Sequence, residues 1–348
     1  MDKIREWFGT RYDEQLDKVE RFWAGEGHYM VTVKRENTYR RPTDDDAFLE
    51  DFSQWLQAQA KLPGIGMPEL SLAWGTTSTA KYWGGTVLLT GDGNSTHITP
   101  VAQTAEEAAA IDPLPIMADG MDVPRALHYY ELACDALDTD LLWLRTPDFQ
   151  GTLNTASLVM DQQEMLVEMY TEPDALHGFL EKVAAHLIRY GKTCHEAAGG
   201  KVPGNGWPAA FFPAELGAAF TEDLMPLLSP EKYAEFGIPQ LRRFGDAFGG
   251  MLIHCCGQWG QHAQNLADSG LPIRAIEFHH PHTTLEQIKP LAEQGVVLIP
   301  YLAMNLQDEY DSVIAFYEHL LAETPYRYWF VFHNDTEDAV AFAEKHAV

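Results

Sequence analysis

Near the start of the chain, apolar residues recur at steps of three and four. Trp7, Tyr12, Leu16, Val19, Phe22 and Trp23 stand with charged residues between them. This spacing lays the apolar side chains along one face of a helix. Gly25-Glu26-Gly27 ends that helix, and residues 28–33, rich in β-branched and aromatic side chains, read as a first strand. A second helix spans 44–61 and stops at Leu62-Pro63-Gly64. Glycine, threonine and proline dominate 64–115, which predicts only short strands and loops there.

The second half of the chain alternates more regularly. Helix 123–137 leads to strand 140–145, and helices 155–170 and 173–198 follow. The latter begins with Pro173, at a position where a missing N–H costs nothing. After a Gly/Pro loop comes strand 217–221, and Ser229-Pro230-Glu231 then opens a helix that runs to about 248. From there the pattern is strand 251–254, helix 260–268, strand 273–278, helix 284–294, strand 296–302, helix 308–323, strand 328–332 and helix 336–346. Thr284 and Gln287 have the spacing of a capping box. Strands joined through helices by short links require a parallel sheet covered by helices. No Gly-x-Gly-x-x-Gly follows the first strand and no Walker-type loop occurs, so the nucleotide-binding open sheets lose support. About eight strands is the barrel number. The expected fold is an α/β (β/α)8 TIM barrel over 28–348, preceded by an N-terminal helical extension over 1–27.

Composition narrows the partners. The 348 residues carry 24 Lys and Arg against 51 Asp and Glu, a net charge of −27. A field of that sign repels phosphate, which argues against nucleic acid and anionic membranes. No segment has the layout of a signal peptide or the length of a membrane span, and the four cysteines form no disulfide framework. These features predict a cytoplasmic protein with reduced thiols.

In a barrel, functional groups stand at the carboxyl ends of the strands. The strongest candidate there is Leu252-Ile253-His254-Cys255-Cys256-Gly257. Residues two apart on a strand share a face, so His254 and Cys256 point together, and an imidazole beside a thiolate is a good half-site for zinc. The alternative is that Cys256 is only a small buried apolar residue. A third ligand must come from another strand end: His333, His279, His280, Glu222 or Asp223. Tyr39-Arg40-Arg41 is a basic cluster in an acidic chain; it either binds an anionic substrate group or neutralises nearby acids. No Ser-His-Asp order and no Gly-x-Ser-x-Gly elbow supports a nucleophilic hydrolase.

The order Leu227-Leu228-Ser229-Pro230-Glu231-Lys232-Tyr233, Pro239 and Ile253-His254-Cys255-Cys256-Gly257 resembles the uroporphyrinogen decarboxylase superfamily. Within it, the chain is more similar to cobalamin-dependent methyltransferases of the methylcobalamin:coenzyme M type. Asp148-Phe149-Gln150-Gly151-Thr152-Leu153 and the helix start at Glu172-Pro173-Asp174 look like segments of the same family. The resemblance runs from about Gly75 onward and implies a (β/α)8 barrel. It also implies zinc held by His254 and Cys256, and a corrinoid cofactor carried by a partner protein. The family's third ligand is a distant cysteine, but no cysteine follows Cys256; His333 at the end of the last strand is the expected substitute. Glu222 and His279 are expected as proton donors, and Asp223, His280, Gln150 and Arg40 as contacts to a small-molecule substrate. The decarboxylases of the superfamily carry an Arg-Gln-Ala-Gly-Arg-Tyr run that this chain lacks. A tetrapyrrole decarboxylase is therefore the second expectation, and a non-catalytic small-molecule-binding barrel the third.

Overall fold

Ten strands form among the described residues, which are 2–37, 39–90 and 95–346 of the computed structural model. They are β1 (Tyr29–Val33), β2 (Glu69–Leu70), β3 (Val87–Leu89), β4 (Ser95–Ile98) and β5 (Trp143–Leu144), then β6 (Ala218–Thr221), β7 (Met251–His254), β8 (Ile273–His280), β9 (Val297–Leu302) and β10 (Tyr328–Phe332). Six of them make a parallel sheet in the order β1-β10-β9-β8-β7-β6. β2 pairs with β5 in parallel, and β3 with β4 as an antiparallel hairpin. Backbone contacts continue beyond both edges of the large sheet. Ile65 N–H donates to Val31 O of β1, and Gln150, a few residues past β5, bridges to Thr221 of β6. The two edges are thus linked through β2 and β5, an arrangement compatible with a barrel.

The sheet is parallel because each strand returns through a helix, and its strands are apolar on both faces. Met251, Leu252 and Ile253 of β7 are all buried, as is the whole of β10. Helices Pro173–Ala197 and Ile238–Phe248 cover the outside near β6, where Phe220 meets Phe149 and Phe244. At the N-terminus, helices Lys3–Phe8 and Arg11–Trp23 are divided at Gly9, whose φ of +55° is left-handed. Trp23 stacks on Trp329 with ring centroids 5.4 Å apart, and its Nε1–H donates to Phe211 O, so the extension is fastened to the sheet.

Two expected helices are each broken in two. The segment read as 155–170 is Thr152–Val159 and Gln162–Thr171, because Asp161 caps the second by accepting from Gln163 and Glu164 N–H. The stretch from Ser229 to 248 is Pro230–Phe236 and Ile238–Phe248, with Pro239 in the first turn of the second. The Ser229 cap and the Thr284–Gln287 capping box both form. All four cysteines are free thiols. Among the described residues, no helix is long and apolar enough to cross a membrane.

Candidate functional site

Strand alternation decides which residues meet at the carboxyl ends of the strands. On β7 and the turn after it, His254 and Cys256 share one face and Cys255 takes the other, where it is buried. On β8, Glu277 and His279 turn to the same side as His254. Beyond β6, Asp223 joins them while Glu222 faces away. The result is a compact polar cluster: His254 Nδ1 lies 2.5 Å from Glu277 Oε2, and His279 Nε2 lies 2.9 Å from Glu277 Oε1. On the other side of the ring, His254 Nε2 stands 3.6 Å from Asp223 Oδ1. The same Asp223 oxygen accepts the Cys256 backbone N–H at 3.0 Å, which fixes its aim.

The charges in this cluster are coupled. Burial opposes a charge on His254, but Glu277, the Cys256 thiol and Asp223 outweigh it and push its pKa up to about 10. Burial would likewise raise Glu277; the two histidines overcome it and hold the carboxyl down at about 2. Both shifts favour a charged pair, and a metal on the Asp223 side would displace the proton from His254 Nε2.

Beside the cluster opens a cavity of about 530 Å³, lined by Lys34, Arg35, Arg40, Arg41, Asp148, Trp207 and His333 among others. Trp207 forms the partition. Its Nε1–H donates to Glu277 Oε1 at 3.0 Å, its ring stacks on His333 at 3.9 Å, and its edge approaches His254. Burial raises Asp148 to about 7, a shift that the amide of Gln150, 2.7 Å away, partly offsets. Lys34, which lines the cavity, pairs with the buried Glu69, as does Arg145, and burial together with Arg145 pushes the Lys34 pKa well below its usual value.

Among the described residues, two groups of side chains offer ligand atoms within 4.8 Å of one another: Asp223 with His254 and Cys256, and His254 with Glu277 and His279. The first supplies a carboxylate oxygen, an imidazole nitrogen and a sulfur, a donor set that fits zinc, and Cys256 is exposed beside it. In the second, hydrogen bonds already engage both Glu277 oxygens.

The structure thus brings His254, Cys256, Asp223 and His279 together. It leaves others apart. His333 stacks on Trp207, whose edge approaches His254, and belongs to neither group; burial lowers its pKa to about 4. Gln150 hydrogen-bonds Asp148 and Asn154 at the edge of the cavity, and Arg40 lies on its exposed rim. His280 follows the opposite face of β8, packs on Phe316 and Tyr310, and pairs with Glu309 at 3.2 Å. Glu222 also points away from the cluster. Its carboxyl packs so closely on Gly151 that a Cβ there would lie 2.0 Å from Oε1, and burial with Asp223 next to it raises its pKa to about 8.

Glu277, Trp207 and Asp148 were not among the expected site residues. Glu277 had a signal: it is an acid between Ile276 and Phe278 in a strand, two residues before His279. Trp207 and Asp148 lie in loops, with no periodicity to reveal them.

The fold is similar to that of a methyltransferase from Methanosarcina mazei, with a TM-score of 0.64 over 96% of each chain at 13% identity. No family model and no curated sequence matches the chain.

Proposed function

We propose that this chain is an enzyme that transfers a methyl group between a corrinoid, carried by a separate protein, and a small acceptor or donor bound at the mouth of a (β/α)8 barrel. The observation that carries the reading is the convergence of Asp223, His254 and Cys256 from neighbouring strand ends beside a cavity of about 530 Å³. These three side chains would hold zinc, with Asp223 in the place the sequence suggested for His333. When bound, zinc supplies a Lewis acid that lowers the pKa of a substrate thiol or hydroxyl. The similarly folded protein from Methanosarcina mazei is a methyltransferase, which supports the same reaction class.

The chain's own residues do the remaining work. Arg40 and Arg41, on the rim, attract an anionic group of the substrate toward the cavity despite the acidic surface. Trp207 offers a flat apolar wall between His254 and His333. When the substrate is a methyl donor, Asp148 is poised to hold a proton near neutrality and to pass it to the heteroatom that loses its methyl group. His279 stands one carboxylate away from His254 and completes the polar wall.

The test combines metal content with turnover. Purified protein should hold about one equivalent of zinc. It should also demethylate free methylcobalamin when small thiols are supplied, with cobalt reduction followed by absorbance. Cys256→Ser should lose both. Less than about a tenth of an equivalent, unchanged by Cys256→Ser, removes the metal from the reading.

A further inference from the structure

We infer that Glu277 is a positioning residue: it holds His254 by Nδ1 so that Nε2 alone is presented to a metal ion on the Asp223–Cys256 side. The inference rests on the metal reading above and concerns the far side of the ligand. A ligating histidine has two ring nitrogens, and which one is free depends on what its partner nitrogen bonds. Here Glu277 Oε2 sits 2.5 Å from Nδ1, while Nε2 faces Asp223 Oδ1. The carboxylate is itself fixed. It is 1% exposed, and its other oxygen receives the His279 ring at 2.9 Å and the Trp207 indole N–H at 3.0 Å. Three donors engage both Glu277 oxygens, and the shortest of these contacts, at 2.5 Å, is to His254 Nδ1, so Glu277 acts on the Asp223–Cys256 side through His254. A carboxylate behind a ligating imidazole fixes ring orientation and raises the basicity of the free nitrogen. The three donors come from β7, β8 and the loop carrying Trp207, so the orientation of His254 is set by two strands and a loop together.

The experiment is a cobalt(II) titration of the apo form of the full-length chain, read by the visible d–d bands, for the parent protein, Glu277→Gln and His279→Phe. Glu277→Gln should bind cobalt about 10- to 100-fold more weakly, because an amide cannot accept from both histidines. His279→Phe leaves the His254–Glu277 bond intact and should stay within about threefold of the parent. Equal affinity in Glu277→Gln and the parent, or equal weakening in both variants, overturns the inference. Should Glu277→Gln fail to fold, the zinc-loaded parent decides: long-range ¹H–¹⁵N spectra should show His254 protonated at Nδ1 and metal-bound at Nε2, and coordination through Nδ1 refutes it. A parent that takes up no metal at all fails the metal reading itself, which the titration separates from the role of Glu277.

Discussion

Arg145 and Glu69 form an ion pair at 2.7 Å with side chains 1% and 3% exposed, one residue past the end of β5 and at the start of β2. Arg145 also donates to the carbonyls of Asn205 and Ala209, so its charge is shared among several acceptors. Such a pair is costly to break because the partner is left buried. Arg145→Met should destabilise the fold by about 3–5 kcal/mol in urea unfolding. A loss below about 1 kcal/mol would show that Lys34 alone satisfies Glu69.

His186 predicts how stability responds to acid. It lies between the rings of Tyr82 and Trp83, with centroids 4.9 and 4.7 Å away, and burial lowers its pKa to about 4. Between about 4 and the unfolded value near 6.5, the unfolded chain binds a proton that the folded chain refuses, so stability falls as pH drops through that window. His186→Phe should flatten this limb of the melting temperature against pH while leaving it unchanged above pH 7. The same acid sensitivity in the variant would assign the effect to another group.

Gly217 and Gly250 meet backbone to backbone where β6 and β7 begin. A Cβ on Gly217 would fall 2.0 Å from Gly250 O, and the φ of Gly217 is +139°. Neither the neighbouring backbone nor an L side chain accommodates that. Gly217→Ala should cost about 2–4 kcal/mol by denaturant unfolding; a neutral result would mean that the two strands can separate there.

Asp148 gives the proposed reaction a pH dependence. Burial holds its pKa at about 7, so the proton donor is present below that value and lost above it. With an oxygen- or nitrogen-bound methyl donor as substrate, the rate of methyl transfer to cob(I)alamin should fall as pH rises through about 7, and Asp148→Asn should lower the rate and abolish that limb. An unchanged profile in the variant would place the donor elsewhere.

The strands and helices of the second half were legible because their apolar runs are long and their caps are explicit; β7 and β10 lie where the pattern put them. The His254–Cys256 pairing was legible for the same reason, since strand alternation dictates it. Glu222 and His280 show where the reading ran out. Each stands one position away from a residue of the polar cluster, and adjacent strand positions face opposite ways, so placing them needed the register as well as the strand ends. The region from 64 to 115 stayed obscure because its elements, such as Glu69–Leu70 and the four-residue 3₁₀ turn Ala80–Trp83, are too short to show a period. Trp207 joins the site through tertiary contacts alone.

The first and last strands of the large sheet are neighbours: β1 pairs with β10 over five residues, and the indole of Trp329 donates to Thr32 across 297 positions of chain. A ribosome would therefore have to release all of the chain between them before the earlier strand found its mate. Until then β1 must wait with an unpaired flank, vulnerable to pairing with the wrong chain, so slow synthesis or crowded expression should penalise yield more than final stability.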